Sequence, residues 1–408
     1  MGVTFIHAAD VHLDRPFNGM GEFPESMRHR IRESTFSAFE KLIRTAIERR
    51  VDFLILAGDV FDGADRGLRA ETRFRRQMKR LAEAKIDVFM ATGNHDPLEG
   101  YWSGMDYGDN VHIFSSQPET LQFRRADKPI VNIHGFSYPT RHISEPIIRQ
   151  YEKVFDEDYH IGVLHGSLIG NSEHDVYAPF SVQDLIDKGY DYWALGHIHK
   201  RAVLKEAPPI IYPGSLQGLS IKETGEKGFY IVTLDNGETN YEFIRAADVE
   251  WALASIDIED IGSIQAFLEE GERIKARVRK KDVGVLLRIK LIGQSVLHKM
   301  MADEETLEEI KEAWRDEEAN RRDFVWVTAI SDETKPVFDR QALKTAPHFL
   351  GDLVRFVDEK NSIKPYLEPL YRHAQAKKFL DPLSSEDERD IVRQAEKLLI
   401  ESLYIGER

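Results

Sequence analysis

Seven residues of this 408-residue chain are of the types that hold divalent cations: Asp10, His12, Asp59, Asn94, His165, His197 and His199. They fall in five short clusters, Asp10-Val11-His12, Gly58-Asp59, Gly93-Asn94-His95-Asp96, His165-Gly166 and Gly196-His197-Ile198-His199. Two carboxylates, one amide oxygen and four imidazoles are too many for one ion. They suit two adjacent ions sharing a carboxylate, with Asp59 the best candidate for the bridge. Two cations about 3.5–4 Å apart stabilise both the attacking and the departing oxygen of a phosphoester. His197 and His199, like Asp10 and His12, are one residue apart, so in extended backbone each pair points to one side. The chain has no cysteine, which excludes thiolate sites, disulfides and a cysteine nucleophile. An oxygen and imidazole donor set favours Mn²⁺, Fe²⁺ or Zn²⁺ over copper. Taken singly, each cluster also reads as a turn or a structural histidine; the ordered set of five does not.

The elements that position these clusters are strands. Val3–Ala9, Phe53–Ala57, Val88–Ala91, Ile161–Leu164 and Tyr192–Leu195 are strand-length apolar runs, and each ends directly in one cluster. In open α/β sheets ligands gather at the carboxyl ends of strands. Between the runs, Met27–Arg50 and Arg69–Glu83 carry helical periodicity. Ile210–Tyr212, Gly228–Leu234 and Thr239–Ile244, with an Asn236-Gly237 hairpin signal, read as closing strands of the same domain. His7 and His134 lie in strand-like runs and read as core.

The texture changes near residue 248. Ile264–Ile274 and Glu304–Glu318 read as helices, and Val285–Ile292 and Phe324–Ile330 as strands, enough for a small α+β domain over 249–335. Residues 336–408 read as helical, ending in a segment whose Ser385-Glu386-Asp387-Glu388 fits a capping box. The hydrophobic fraction of 42% supports packed cores, and 70 acids against 55 bases leave a charge of −15. Bulk charge therefore does not coat nucleic acid, although screening leaves room for a local basic site. No apolar run approaches the roughly 20 residues of a membrane span, and the N-terminus reads as a strand; the expectation is a cytoplasmic protein.

The series Asp10-x-His12, Gly58-Asp59-x-x-Asp62, Gly93-Asn94-His95-Asp96, His165 and Gly196-His197-x-His199 resembles the calcineurin-like metallophosphoesterases. That resemblance implies an α/β fold of two packed sheets flanked by helices over 1–248, followed by the capping domain and the helical C-terminal segment. It further implies one metal on Asp10, His12, Asp59 and His199, and a second on Asp59, Asn94, His165 and His197. His95 would be the non-ligand catalytic histidine, Asp96 its orienting carboxylate, and Asp62 a residue behind the ligands. A metal-bound hydroxide would attack phosphorus while His95 assists the leaving oxygen.

Within that superfamily, Asp10-Val11-His12-Leu13-Asp14, the segment Val51–Asp62, and Tyr212-Pro213-Gly214-Ser215 followed by Glu226-Lys227-Gly228 are similar to SbcD-type DNA repair nucleases, especially their YhaO-type branch. Ala9 and Val11 depart from the pattern of better-known relatives. The resemblance implies Mn²⁺-dependent exonuclease and endonuclease action on DNA, a helical C-terminus that docks an SbcC-type ATPase, and a homodimer. A small-nucleotide phosphodiesterase or phosphatase, and a DNA-end scaffold with weak catalysis, are the alternatives.

Between residues 66 and 80, seven cations are opposed only by Glu71. Arg66, Arg69, Arg73 and Arg76 are candidates for phosphate contact, or the segment is a helix face paired with acidic neighbours. Tyr101, Trp102 and Tyr107 could stack on a base or pack a loop. His174 and Tyr177 could border the cleft. The apolar face of the last helix either docks a partner or packs within the chain.

Overall fold

In β1 (Val3–Ala8), Val3 and Phe5 enter one apolar core while Ile6 and Ala8 enter another. β2 (Phe53–Ala57) repeats the alternation, with Phe53, Ile55 and Ala57 on one side and Leu54 and Leu56 on the other. Burial on both faces explains why these strands are unbroken apolar runs. The computed structural model describes residues 2–17, 23–63, 67–100, 105–153, 159–170, 177–359, 363–373 and 383–403.

The remaining strands of the first region are β3 (Asp87–Ala91), β4 (Val111–Ile113), β5 (Glu119–Phe123), β6 (Val131–Gly135), β7 (Tyr159–His165), β8 (Tyr192–Gly196), β9 (Ala202–Glu206), β10 (Pro209–Tyr212), β11 (Gly228–Asp235) and β12 (Glu238–Arg245). They build two six-stranded sheets, ordered β12-β11-β1-β2-β3-β4 and β5-β6-β7-β8-β10-β9. Strands β1 to β4 run parallel to one another, and so do β6, β7, β8 and β10. Between the sheets Phe5, Phe53 and Phe89 pack with Ile133, Val163 and Ala194. Helices α1 (Glu25–Glu48) and α2 (Leu68–Glu83) cover the outer face of the first sheet through Phe39, Leu42, Phe74, Met78 and Leu81. A short helix, α3 (Val182–Ile186), lies on the other sheet with Leu185 among Trp193 and Tyr212. Each fully buried side chain of this size contributes about 1.5–3 kcal/mol. The expected two-sheet α/β sandwich is the fold.

Strands β4, β5 and β9 were not apparent from periodicity, whereas β6 is the strand-like run that holds His134. In β6 the apolar run is interrupted by Asn132 and His134, which are buried because Gln122 donates to Asn132 (2.6 Å) and His134 Nδ1 meets Thr120 Oγ1 (2.9 Å). His7 is also core, bonded to Tyr192 Oη and the Leu195 carbonyl.

The chain divides into two units. The first comprises Met1–Leu253, Val278–Leu287 and Arg315–Thr328, the second Ala254–Arg277, Arg288–Trp314 and Ala329–Arg408. The later segments belong to the first unit for a local reason: Arg30 of α1 binds Asp248 and donates to the Asp282 and Arg322 carbonyls, while Phe324 packs with Met27 and Ile31. In the second unit Leu343, Leu350, Val354 and Ile400 form a small core, and Arg340 pairs with Asp358 and Glu396. The last helix, Ser385–Leu403, is capped one residue earlier than its sequence suggests: Ser384 and Asp387 exchange side-chain to backbone bonds of 3.0 and 3.1 Å. Among the described residues no helix is long and apolar enough to cross a membrane.

Candidate metal centre

The carboxyl ends of β1, β2, β3, β7 and β8 deliver all seven expected ligands to one place. The loops after β1 and β2 are zipped together by N–H donation from Asp10, His12 and Leu13 to the carbonyls of Gly58, Asp59 and Val60, at 3.0–3.1 Å. Asp96 fixes the loops after β2 and β3, accepting from the N–H groups of Val60 (2.9 Å), Phe61 (3.2 Å) and Gly93 (2.7 Å). The two sheets are tied across the site by His165 Nδ1 on the Ala57 carbonyl (2.9 Å) and by the His197 N–H on the Asp10 carboxylate (3.0 Å).

Backbone conformation aims the ligands. Asp10, His12, Asp59 and His197 have φ of 50°, 45°, 51° and 95°, a region costly to side-chain-bearing residues and characteristic of functional sites. Glycine is required beside them. A Cβ on Gly93 would stand 2.2 Å from Asp59 Oδ1, and one on Gly58, which has φ +94°, would stand 2.2 Å from His165 Nδ1.

Two donor groups result. His12 Nε2 and His199 Nε2 are 3.1 Å apart, and with Asp10 their ligand atoms cluster within 4.8 Å. Asn94 Oδ1 lies 3.1 Å from His165 Nε2 and 3.2 Å from His197 Nδ1. Asp59 Oδ2 faces both groups, 3.8 Å from His12 Nε2 and 3.4 Å from His165 Nε2.

Hydrogen bonding on the outside of the centre determines what faces inward. The Nδ1 atoms of His12, His165 and His199 face Asp62 (3.3 Å), the Ala57 carbonyl and Glu223 (3.2 Å), all acceptors. Each neutral imidazole therefore carries its proton on Nδ1 and turns an Nε2 lone pair inward. With all three rings neutral, as metal binding requires, three nitrogen lone pairs, two carboxylates and an amide oxygen converge with no donor hydrogen between them. Such a set is repulsive in low dielectric unless cations lie in it. The donor chemistry thus fits divalent metals. Burial works against charge on His165, but the Asp59 carboxylate overrides it and holds the imidazole up at about 9. Burial keeps His12 below the ordinary imidazole value despite Asp62 and Asp59.

His95 stands apart from the ligands. Its side chain is 37% exposed, against 1% for His12 and 0% for His165, and its Nδ1 lies 3.1 Å from Asp62 Oδ1. Asp62 thus places a carboxylate on the His95 ring, while Asp96 accepts from three backbone N–H groups. Burial would raise Asp62, yet bonds from His12 and His95 and the nearby Arg15 hold it well below the usual carboxylate range.

Three residues escaped sequence reasoning as site components. Glu223 accepts from His199 Nδ1 and from Ser215 Oγ (3.0 Å), and Lys227 donates to the His199 carbonyl (2.6 Å). Ser215 and Lys227 lie in segments that carried the family resemblance, but nothing in spacing connected Glu223 to His199. Tyr177 does border the site, its ring 5.1 Å from that of His197, with His142 5.2 Å beyond. Tyr107 is packing: it is buried against Phe74 and donates to Glu71.

Three of the six described cations in the basic segment are paired with carboxylates. Arg69 binds Asp14 (2.8 Å) and Glu33, Arg73 binds Glu33 (2.5 Å) and covers Phe36, and Arg76 binds Glu40 (3.1 Å). Three of the four expected phosphate contacts are thus paired with α1 or the first metal loop. Arg66, Tyr101, Trp102 and His174 lie outside the described residues.

Comparison with known proteins places this geometry. Residues 3–201 match the calcineurin-like phosphoesterase family, and residues 251–335 match the middle domain of the metallophosphoesterase YhaO. The chain is 41% identical over 405 residues to an uncharacterized metallophosphoesterase, YhaO, of Bacillus subtilis, covering 99% of this chain and 98% of that one. It is 27% identical over 302 residues to the DNA double-strand break repair protein Mre11 of Methanopyrus kandleri, covering 68% of this chain and 62% of that one. With Mre11 of Aeropyrum pernix the identity is 29%, over 67% and 68% of the two chains. A solved dimetal phosphatase from Danio rerio superposes with a TM-score of 0.37 at 14% identity, over 60% of this chain and 96% of that one.

Proposed function

The chain belongs to the calcineurin-like metallophosphoesterase family, and from that premise we propose that it is a two-metal DNA phosphodiesterase acting in DNA repair, with exonuclease and endonuclease activity. The observation that carries the hydrolytic reading is the convergence of three inward Nε2 lone pairs with Asp10, Asp59 and Asn94. The choice of DNA rests on the similarity to proteins named for DNA double-strand break repair.

Asp10, His12, Asp59 and His199 would hold one divalent cation, and Asp59, Asn94, His165 and His197 the other, with Mn²⁺ the proposed metal. When bound, the pair supplies the charge that activates water and offsets charge building on the phosphoryl oxygens. The chain's own residues do the rest. His95 has Nδ1 beside Asp62, which leaves Nε2 to hydrogen-bond a phosphoryl oxygen or give its proton to the departing deoxyribose oxygen. Asp62 stabilises the charged imidazole before that transfer. Tyr177, packed on His197, walls one side of the centre.

Residues 336–408 are proposed to dock an SbcC-type ATPase, since Phe349, Phe356, Tyr366, Leu370, Leu398 and Leu403 are all exposed there. A homodimer and a cytoplasmic location belong to the same proposal.

The test is Mn²⁺-dependent cutting of end-labelled linear duplex and circular single-stranded DNA, with Asp59→Ala as the control for contaminating nuclease. Cutting lost in the variant establishes the nuclease. Turnover of a small diester with both DNAs intact favours the small-nucleotide phosphodiesterase instead.

A further inference from the structure

The run of seven cations on and before α2 is not uniform once folded. Arg69, Arg73 and Arg76 lie within reach of Asp14, Glu33 and Glu40 and are balanced by them. Arg75 and Lys79, one helical turn apart, and Lys85, just beyond the helix, are exposed. None of these three has a carboxylate partner among the described residues. All three line one groove of about 960 Å³ between α2, the start of β3 and the loop 106–110. Asp87, Asp106 and Asp109 also line it, but two of them are engaged within the chain: Asp87 lies 3.9 Å from His112, and Asp106 accepts from the Gly108 N–H. Arg125, at the groove's edge, is paired with Asp52. The groove therefore carries three cations that have no direct carboxylate partner, in a lining of six cations against three carboxylates, on a chain whose net charge is −15.

We propose that this groove is a second anion site, separate from the metal centre, which holds the phosphodiester backbone of a nucleic acid through Arg75, Lys79 and Lys85. The spacing suits a repeating polyanion better than a single phosphate. Four residues of helix advance about 6 Å, so the cations form a row rather than a cup. Asp87 begins β3 and the ligand Asn94 follows its end, which puts the groove at the end of that strand opposite the metal centre. A small ester held at the metals does not reach it, whereas a nucleic acid extending past the centre does. The proposal rests on the DNA reading above, and it identifies which part of the basic segment serves that substrate.

The experiment is fluorescence anisotropy with a labelled duplex of about 30 base pairs carrying phosphorothioate linkages, titrated with the metal-loaded full chain from 50 to 200 mM salt. Wild type is compared with the Arg75→Gln, Lys79→Gln, Lys85→Gln triple variant and with Arg76→Gln. Three lost phosphate contacts should lower the slope of log affinity against log salt by about 3 and weaken binding roughly 10- to 100-fold at 0.1 M. Arg76→Gln, whose charge Glu40 already balances, should change the slope by less than one. Thermal melting and small-diester turnover of the triple variant should match wild type. A wild type that binds DNA and a triple variant with the same affinity and slope would overturn the groove and leave the DNA reading standing. A wild type that turns over a small diester but binds no DNA at any salt would overturn both.

Discussion

Asp62 Oδ1 lies 3.1 Å from His95 Nδ1, and the same oxygen is 3.3 Å from Nδ1 of the metal-ligand candidate His12. One carboxylate oxygen thus faces a ring nitrogen of a candidate ligand and of the exposed histidine beside it. Asp62→Asn should therefore lower kcat for a small diester about 10- to 100-fold by loosening both rings. His95→Gln should lose about 10²- to 10⁴-fold in kcat with metal content unchanged. Metal analysis alongside steady-state kinetics separates the two; full activity in the His95 variant would remove it from the chemistry.

Glu223 holds His199 as Asp62 holds His12. Burial would raise its carboxyl, but the His199 imidazole, Lys227 and Ser215 hold it down at about 2. Glu223→Gln should weaken one of the two metal sites about 10- to 100-fold and spare the other. Calorimetric titration with Mn²⁺ would show two separated binding steps in place of wild-type behaviour, and an unchanged titration would mean that Glu223 is only packing.

Gly93→Ala should empty the centre without unfolding the sandwich. The new methyl meets Asp59 Oδ1 at 2.2 Å and His165 Nε2 at 2.7 Å, so the shared carboxylate must move. The expected result is less than one metal per chain, a loss of about 1–3 kcal/mol of stability from overpacking, and native far-ultraviolet circular dichroism. Normal metal content would show that the loop relaxes.

His7 and His134 make the protein acid-sensitive. Burial depresses both imidazoles to about 3, so between pH 6.5 and 3 the unfolded chain binds protons that the folded chain refuses. Stability must therefore fall as pH falls, by about 1.4 kcal/mol per pH unit for each histidine. Denaturant melts of metal-free protein between pH 6.5 and 5.5 measure this while most carboxylates stay ionised. A His7→Gln variant should have the shallower dependence; an identical slope would show that His7 is charged in the fold.

What the sequence determined by itself was the inventory and order of the centre. Asp10, His12, Asp59, Asn94, His165, His197 and His199 were legible because each follows an apolar run buried on both faces, and parallel strands bring their carboxyl ends together. The two central helices were legible for the same reason, since periodicity reports a buried stripe. Tertiary structure alone decided matters that depend on neighbours distant in the chain. The Nδ1 partners that turn three imidazoles inward come from Asp62, the Ala57 carbonyl and Glu223, the last two 108 and 24 residues from the rings they hold. Charge on α2 was equally undecidable from composition, because Glu33 and Glu40 approach from another helix and cancel Arg73 and Arg76 but do not reach Arg75. The burial of Asn132 in strand β6 depends on a neighbour in the same way. Gln122 of the adjacent strand donates to its amide oxygen, and hydrogen bonding across a sheet leaves no periodic trace in either strand.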